Sequence, residues 1–149
     1  MRSVKATAWR HGKLGRAVLL VCAALIVPPA TASAEPGGAI GTDDRGFIDK
    51  AARCDAPKSA LALGRTEQSL VAICVDDSGH YEYRGMRVKD DYALKVPGAV
   101  MLAGKYVARN ANFTYIFSPK ELMILQGWGW VIRKEPMVAF VEPRLPVGG

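Results

Sequence analysis

From Ser59 onward the chain keeps one rhythm. "SALALGR", "SLVAICVD", "HYEYRGMRV", "YALKV", "KYVAR", "FTYIFS", "ELMILQ", "WVIRK" and "MVAFVE" follow one another, separated by Gly, Pro, Asp and Asn. Each run is short and rich in Val, Ile, Tyr and Phe, residues that fit a pleated, half-buried surface, and the residues between them fit turns. No stretch after Ala60 keeps apolar residues at helical spacing over three turns. The expected fold is therefore mainly β, a compact antiparallel β-sandwich or a small barrel of hairpins. One short N-terminal helix is allowed for in "DRGFIDKAARC" (Asp44–Cys54), with Asp44 as its cap and Phe47, Ile48, Ala51 and Ala52 on one face.

Two hairpins can be given a register. In the first, a loop of Asp77, Ser78 and Gly79 sets Asp76 against His80, Val75 against Tyr81, Ile73 against Tyr83 and Val71 against Gly85. One face then carries Val71, Ile73, Val75, Tyr81 and Tyr83. A loop one residue longer would oppose those aliphatics to His80, Glu82 and Arg84, and a slip of one residue turns a whole apolar set to the wrong side. Gly79 also falls where such a loop needs a positive φ. In the second, "LQGWGWVIRKEP", a two-residue Gly127-Trp128 turn sets Leu125 against Trp130, Ile124 against Val131, Met123 against Ile132 and Glu121 against Lys134. That register predicts a core face of Met123, Leu125, Trp130 and Ile132. Trp128 lies in the turn, either folded back over the sheet or exposed as a contact residue.

The N-terminus predicts a destination. Arg2, Lys5, Arg10, Lys13 and Arg16 precede the apolar run "AVLLVCAALIV" (Ala17–Val27), and "PPATASA" ends in Ala32-Ser33-Ala34. A basic start, a short apolar core and a small-x-small end describe a secretory signal peptide cleaved after Ala34. The run is too short to span a bilayer as a helix, which takes about 20 apolar residues. Lipoprotein processing at Cys22 is the competing reading, and Val21 occupies the place where that processing wants a small residue. The expected layout is a signal at 1–34, a Gly-rich flexible leader at 35–45, one β-rich domain at 46–143 and a tail at 144–149, with no transmembrane helix after cleavage.

The whole chain carries a formal +6 and a pI near 9.4. Five of its 20 Lys+Arg, and none of its 14 Asp+Glu, lie in residues 1–34, so the remainder carries only +1. The basic pI belongs to the signal, and a nucleic-acid partner is not expected from it. The same remainder keeps two cysteines, Cys54 and Cys74. An even pair bound for an oxidising compartment reads as one disulfide, worth roughly 3 kcal/mol for a closed loop of about 20 residues.

Residues that could do chemistry are sparse. Asp43-Asp44, Asp76-Asp77 and Asp90-Asp91 are adjacent pairs beside turn formers, and neighbours on a strand point to opposite faces, so they read as turn residues. His80 is the one histidine after the signal; with a loop acid or serine it could serve a small secreted hydrolase, although no Gly-x-Ser-x-Gly elbow is present. No cofactor is expected, since neither a three-ligand metal spacing, a Gly-x-Gly-x-x-Gly turn nor a phosphate loop occurs. An indole placed in a turn, where packing does not demand it, makes Trp128 the candidate binding residue, with Arg133 and Lys134 beside it.

Taken together, "CDAP", "ALGRTEQSLVAICVDDSGHYEYRGMRV" and "YIFSPKELMILQGWGWVIRKEPM" resemble a family of small secreted actinobacterial, especially mycobacterial, proteins of unknown function. The likeness covers roughly Cys54 to Met137 and is a pattern of strands and turns. It implies an exported domain of the cell envelope or extracellular space, and it carries over no catalytic residue. The expectation is a non-catalytic binding or accessory protein with an envelope or extracellular ligand.

Overall fold

A computed structural model describes residues 40–143. The signal-type segment with Cys22 and Ala34, and the tail at 144–149, lie outside the described residues. The strands are β1 (Thr42–Asp43), β2 (Gly46–Phe47), β3 (Ser59–Arg65), β4 (Ser69–Val75), β5 (Tyr81–Arg87), β6 (Ala93–Leu102), β7 (Lys105–Asn110), β8 (Phe113–Phe117), β9 (Glu121–Gln126), β10 (Trp130–Pro136) and β11 (Ala139–Val141). β1 and β2 form a small sheet of their own. The other nine make one antiparallel sheet in the order β10-β9-β8-β7-β6-β5-β4-β3-β11, curled strongly into a half-barrel. The expected β class holds, and residues 40–143 belong to one compact unit.

The curl has an identifiable cause. β6 serves two neighbours in succession, pairing with β5 through Ala93–Ala99 and with β7 through Val100–Leu102. Between them the ladder shifts register at Pro97-Gly98, where Gly98 has a φ of +72°. Pro97 cannot donate to a ladder, and a bulge of this kind bends a strand and sharpens its twist. At the far end the chain leaves β10 and joins β11 on the opposite edge through Met137 and Val138 alone. Their N–H groups donate to Lys120 and Arg65 carbonyls at 2.9 and 2.8 Å.

Inside the curl, Val71, Ile73, Tyr83, Val96, Tyr106, Tyr115, Phe117 and Leu122 form the main core. Tyr83 stacks on Tyr115 with centroids 5.1 Å apart, and Tyr106 stacks on Phe117 at 6.0 Å. Gly64 admits this packing, because a Cβ there would collide with the Phe117 ring. A second core lies on the outside of β3–β5, where Ala60, Leu63, Leu70, Ala72, Cys74 and Met86 are covered by Phe47, Ala52 and Cys54. The Cys54–Cys74 disulfide is formed, with its Cα atoms 5.6 Å apart. It ties the N-terminal cover to β4.

That cover is not the helix the sequence allowed for. No residue between 40 and 143 is helical; Asp44–Arg53 turns through β2 and a run of turns, burying Phe47 and Ala52 and leaving Ile48 and Ala51 exposed. Gly46, at a φ of +97°, breaks a helix there and lies against Leu63 and Ala60. Residues 41–45, read above as flexible leader, belong to the folded unit. Thr42 and Asp43 pair with Phe47 and Gly46, and Asp43 takes a bidentate bond from Arg53 at 2.7 and 2.5 Å.

The first hairpin has the expected register. Val75 opposes Tyr81, Ile73 opposes Tyr83 and Val71 opposes Gly85, with Asp76 N–H bonded to His80 O and Gly79 at a φ of +80°. The second does not. Its loop is Gly127-Trp128-Gly129, both glycines at positive φ, so Trp130 opposes Gln126 and Val131 opposes Leu125. A bulge at Ile132 then sets Arg133 against Ile124. The buried face is Leu122 with Ile124, not Met123 with Leu125, and Trp130, expected in the core, is 78% exposed. "ELMILQ" is apolar on both faces, so alternation does not choose between them. Glu121 and Lys134 do form an ion pair, at 3.0 Å, as diagonal rather than opposed neighbours.

Candidate functional site

The cleft with most of the marks of a ligand site opens at one end of the curl. It encloses about 420 Å³, within the ~300–1,000 Å³ usual for small-molecule sites. Leu94, Phe113, Tyr115 and Ile124 supply its apolar lining, from three different strands. Gly85, with no side chain, leaves room above the Tyr83 ring. Burial pushes the phenols of Tyr115 and of Tyr83 beneath it up, so these rings present neutral aromatic surface and no acid or base near neutrality.

Two guanidinium groups stand at the lip. Arg87 is committed: it holds Asp90 through two bonds of 2.7 Å and lies over the Tyr92 ring, 5.3 Å from its centroid. The hydrogen bond from Arg87 is also the main reason the Asp90 carboxyl is held below its ordinary range. Arg133 is held more loosely, by one 3.4 Å bond from Nη1 to Glu135 Oε1. Most of its five donors can turn to a ligand. The bulge at Ile132 is what gives Arg133 this inward position.

Glu135 itself lies deeper and is 2% exposed. Thr66 Oγ1 donates to its Oε2, and Ser69 Oγ donates to Oε1 at 3.2 Å. Thr66 and Ser69 flank the β3–β4 turn, so this carboxylate fastens β10 to the far side of the sheet. A buried carboxylate with two hydroxyl donors and an arginine is satisfied, and its oxygens are occupied by a structural task.

The residues singled out in the sequence do not form one surface. Arg133 is at the mouth, Lys134 is on the outer face paired with Glu121, and Trp128 is fully exposed at the tip of the β9–β10 hairpin, which runs on beyond the mouth. His80 lies at the tip of the β4–β5 hairpin with its side chain 79% exposed, and its ring contacts Asp76 at 3.3 Å. Asp76 is occupied by the N–H groups of Ser78 and His80, both at 2.9 Å, so the group forms a turn. A hydrolase built on His80 lacks the enclosed setting it would require. The Asp pairs likewise serve turns and ion pairs: Asp43 with Arg53, Asp76 in its loop, and Asp90 with Arg87.

A charge cluster around one buried arginine was missed in the sequence. Arg84, 2% exposed, bonds Asp55 through both terminal nitrogens, Glu82 at 2.6 Å and the Arg53 carbonyl at 2.5 Å. Lys58 and Lys95 complete it on Glu82 and Asp55, at 2.6 and 2.8 Å. It sits on the covered outer side of β5, next to Cys54 in the chain, and pins the N-terminal cover. Among the described residues no group of three or more His, Cys, Asp or Glu is placed to hold a metal, and no helix is long and apolar enough to cross a membrane. Comparison with known protein families, curated proteins and solved structures gives no match for this chain.

Proposed function

We propose that the protein is an exported binding domain whose cleft takes a small molecule with an apolar body and an anionic head. The observation that carries this is the cleft itself, an aromatic and aliphatic floor with Arg133 at its lip. Burial of the ligand body against Leu94, Phe113, Tyr115 and Ile124 supplies affinity, and the guanidinium fork selects a carboxylate or similar planar anion. Titration with decanoate and with decanol, followed by displacement of an apolar fluorescent probe, tests it. Decanoate binds more tightly than decanol, Arg133→Ala removes the difference, and Ile124→Trp, which fills the floor, weakens both. Equal affinity for the two in the parent protein, or no effect of Ile124→Trp, sinks the reading.

Export and cleavage after Ala34 belong to the same reading. The basic start, the short apolar run, the Ala32-Ser33-Ala34 end and a disulfide at Cys54–Cys74 support it. So does the resemblance to small secreted actinobacterial proteins. Intact-mass analysis of the protein recovered outside the cell is expected to show a chain beginning at Glu35 and lacking two hydrogens. A lipid on Cys22 would move the protein to a membrane anchor instead.

A further inference from the structure

The outer wall of β6–β10 takes no part in that cleft, yet it is the least ordinary surface of the molecule. We infer that this wall, led by the tip of the β9–β10 hairpin, docks the protein on an anionic lipid surface. The inference is independent of the ligand reading and stands on three observations: the apolar wall, the sorting of charge and the setting of the indoles.

The first is an apolar face over which no described strand or turn is laid. Strand pairing lines up Val100, Val107, Ile116 and Met123 across four strands on the outer side. Leu125 opposes Val131 on the same side, one row nearer the tip. Val100, Leu102 and Val131 are exposed. A shallow groove runs along this wall from Leu102 past Val107, Ile116 and Leu125 to Trp128. On the β3–β5 half the corresponding outer face is buried by the N-terminal cover.

The second is charge. Between Gly98 and Lys134 the sequence has five basic residues, Lys105, Arg109, Lys120, Arg133 and Lys134, against one acid, Glu121. The near-neutral total after residue 34 hides this segregation, since the acids lie elsewhere. Lys105, Arg109 and Lys134 have outward register positions, opposite Leu102, Thr114 and Met123. A second copy meeting this face by a two-fold axis would set cations against cations, whereas anionic headgroups complement them.

The third is the indoles. Glu35–Gly149 contains two tryptophans, Trp128 and Trp130, and both are exposed at the tip. Indole, with an apolar body and one N–H, favours the boundary between headgroups and acyl chains. The groove and the mouth meet at Ala111, in the β7–β8 turn, so docking brings the mouth alongside the lipid.

The test uses disulfide-bonded Glu35–Gly149, whose tryptophans are confined to the tip. It is mixed with vesicles of phosphatidylcholine, with and without phosphatidylglycerol. A blue shift of tryptophan emission, quenching by brominated lipid and co-flotation are expected with the anionic vesicles, with affinity about tenfold above the zwitterionic ones. High salt weakens binding, and Lys105→Glu with Arg109→Glu loses it, while the melting temperature stays at the parent value. Trp128→Ser with Trp130→Ser loses co-flotation at unchanged circular dichroism. No shift with anionic vesicles overturns the inference, as does co-flotation indifferent to these variants. So does a vesicle-free dimer dispersed by Val107→Asp, or a shift produced by oligonucleotides and not by vesicles.

Discussion

The β4–β5 and β9–β10 hairpins share a plan and differ in their surroundings. Each has a three-residue loop ending in a glycine at positive φ, Gly79 in one and Gly129 in the other. Both faces of β4 are buried, one in the interior and one beneath the disulfide-tied cover, whereas β9 buries Leu122 and leaves its outward Met123 and Leu125 half-buried, with no described element laid over them. The same local grammar thus yields a clamp in one half of the sheet and a free wall in the other. What a hairpin contributes depends on what is laid against its second face.

The largest expected effect tests the covered half. Replacing Cys54 and Cys74 together with Ala costs about 3 kcal/mol, read from urea unfolding, because the cover loses its covalent tie. Should the loss be near zero, Arg84 and its partners hold the cover unaided.

Acid should act on the same half. In Asp55 the hydrogen bond from Arg84, then that from Lys95, holds the carboxyl well below the ordinary range. In Glu82 burial pushes the other way and is outweighed by the bonds from Lys58 and Arg84. Both carboxyls bind protons less readily folded than unfolded. Their stabilisation is therefore complete above the ordinary carboxylate range and is lost as pH falls from about 5 downward. Urea midpoints measured down that range should fall, and Arg84→Met should flatten the slope while costing about 1–3 kcal/mol at neutral pH, chiefly through the donor lost to the largely buried Glu82.

Smaller effects sharpen the comparison at the loops. Nothing lies within 4 Å of a Cβ placed on Gly79 or Gly129, so backbone conformation alone sets the cost of Ala there. Gly79→Ala should lose about 1 kcal/mol in thermal unfolding, and Gly129→Ala, whose φ of +118° lies further from the left-handed region than the +80° of Gly79, should lose more. Smallest of all, Trp128→Ala should change stability by less than about 0.5 kcal/mol, since its side chain packs on nothing. A larger loss would mean the tip folds back on the wall in solution.

Those hairpins also explain how far the sequence could be read. The first was legible because "HYEYR" alternates sharply and Gly79 is the one glycine in its loop. The second offered two glycines, hence two loop lengths, and a strand apolar on both faces; the bulge at Ile132 leaves no local mark. The disulfide was readable from the cysteine count and the signal-type N-terminus. The mouth was not, since Leu94, Phe113 and Ile124 meet only when the sheet curls, and the curl begins at a bulge. The charge sorting between Gly98 and Lys134 was visible throughout but was averaged away in a single net figure.

The crossing from Pro136 to Ala139 has one more consequence. Every strand of the large sheet except β11 can pair with a neighbour in sequence, so the meander can assemble from the N-terminal side as the chain is made. β11 alone returns to a strand laid down long before, and it caps the rim of β3 with Ala139, Phe140 and Val141 against Arg65, Gly64 and Leu63. A polypeptide cut short ahead of Ala139 would expose that rim to strand addition by other chains, so three late residues guard against aggregation.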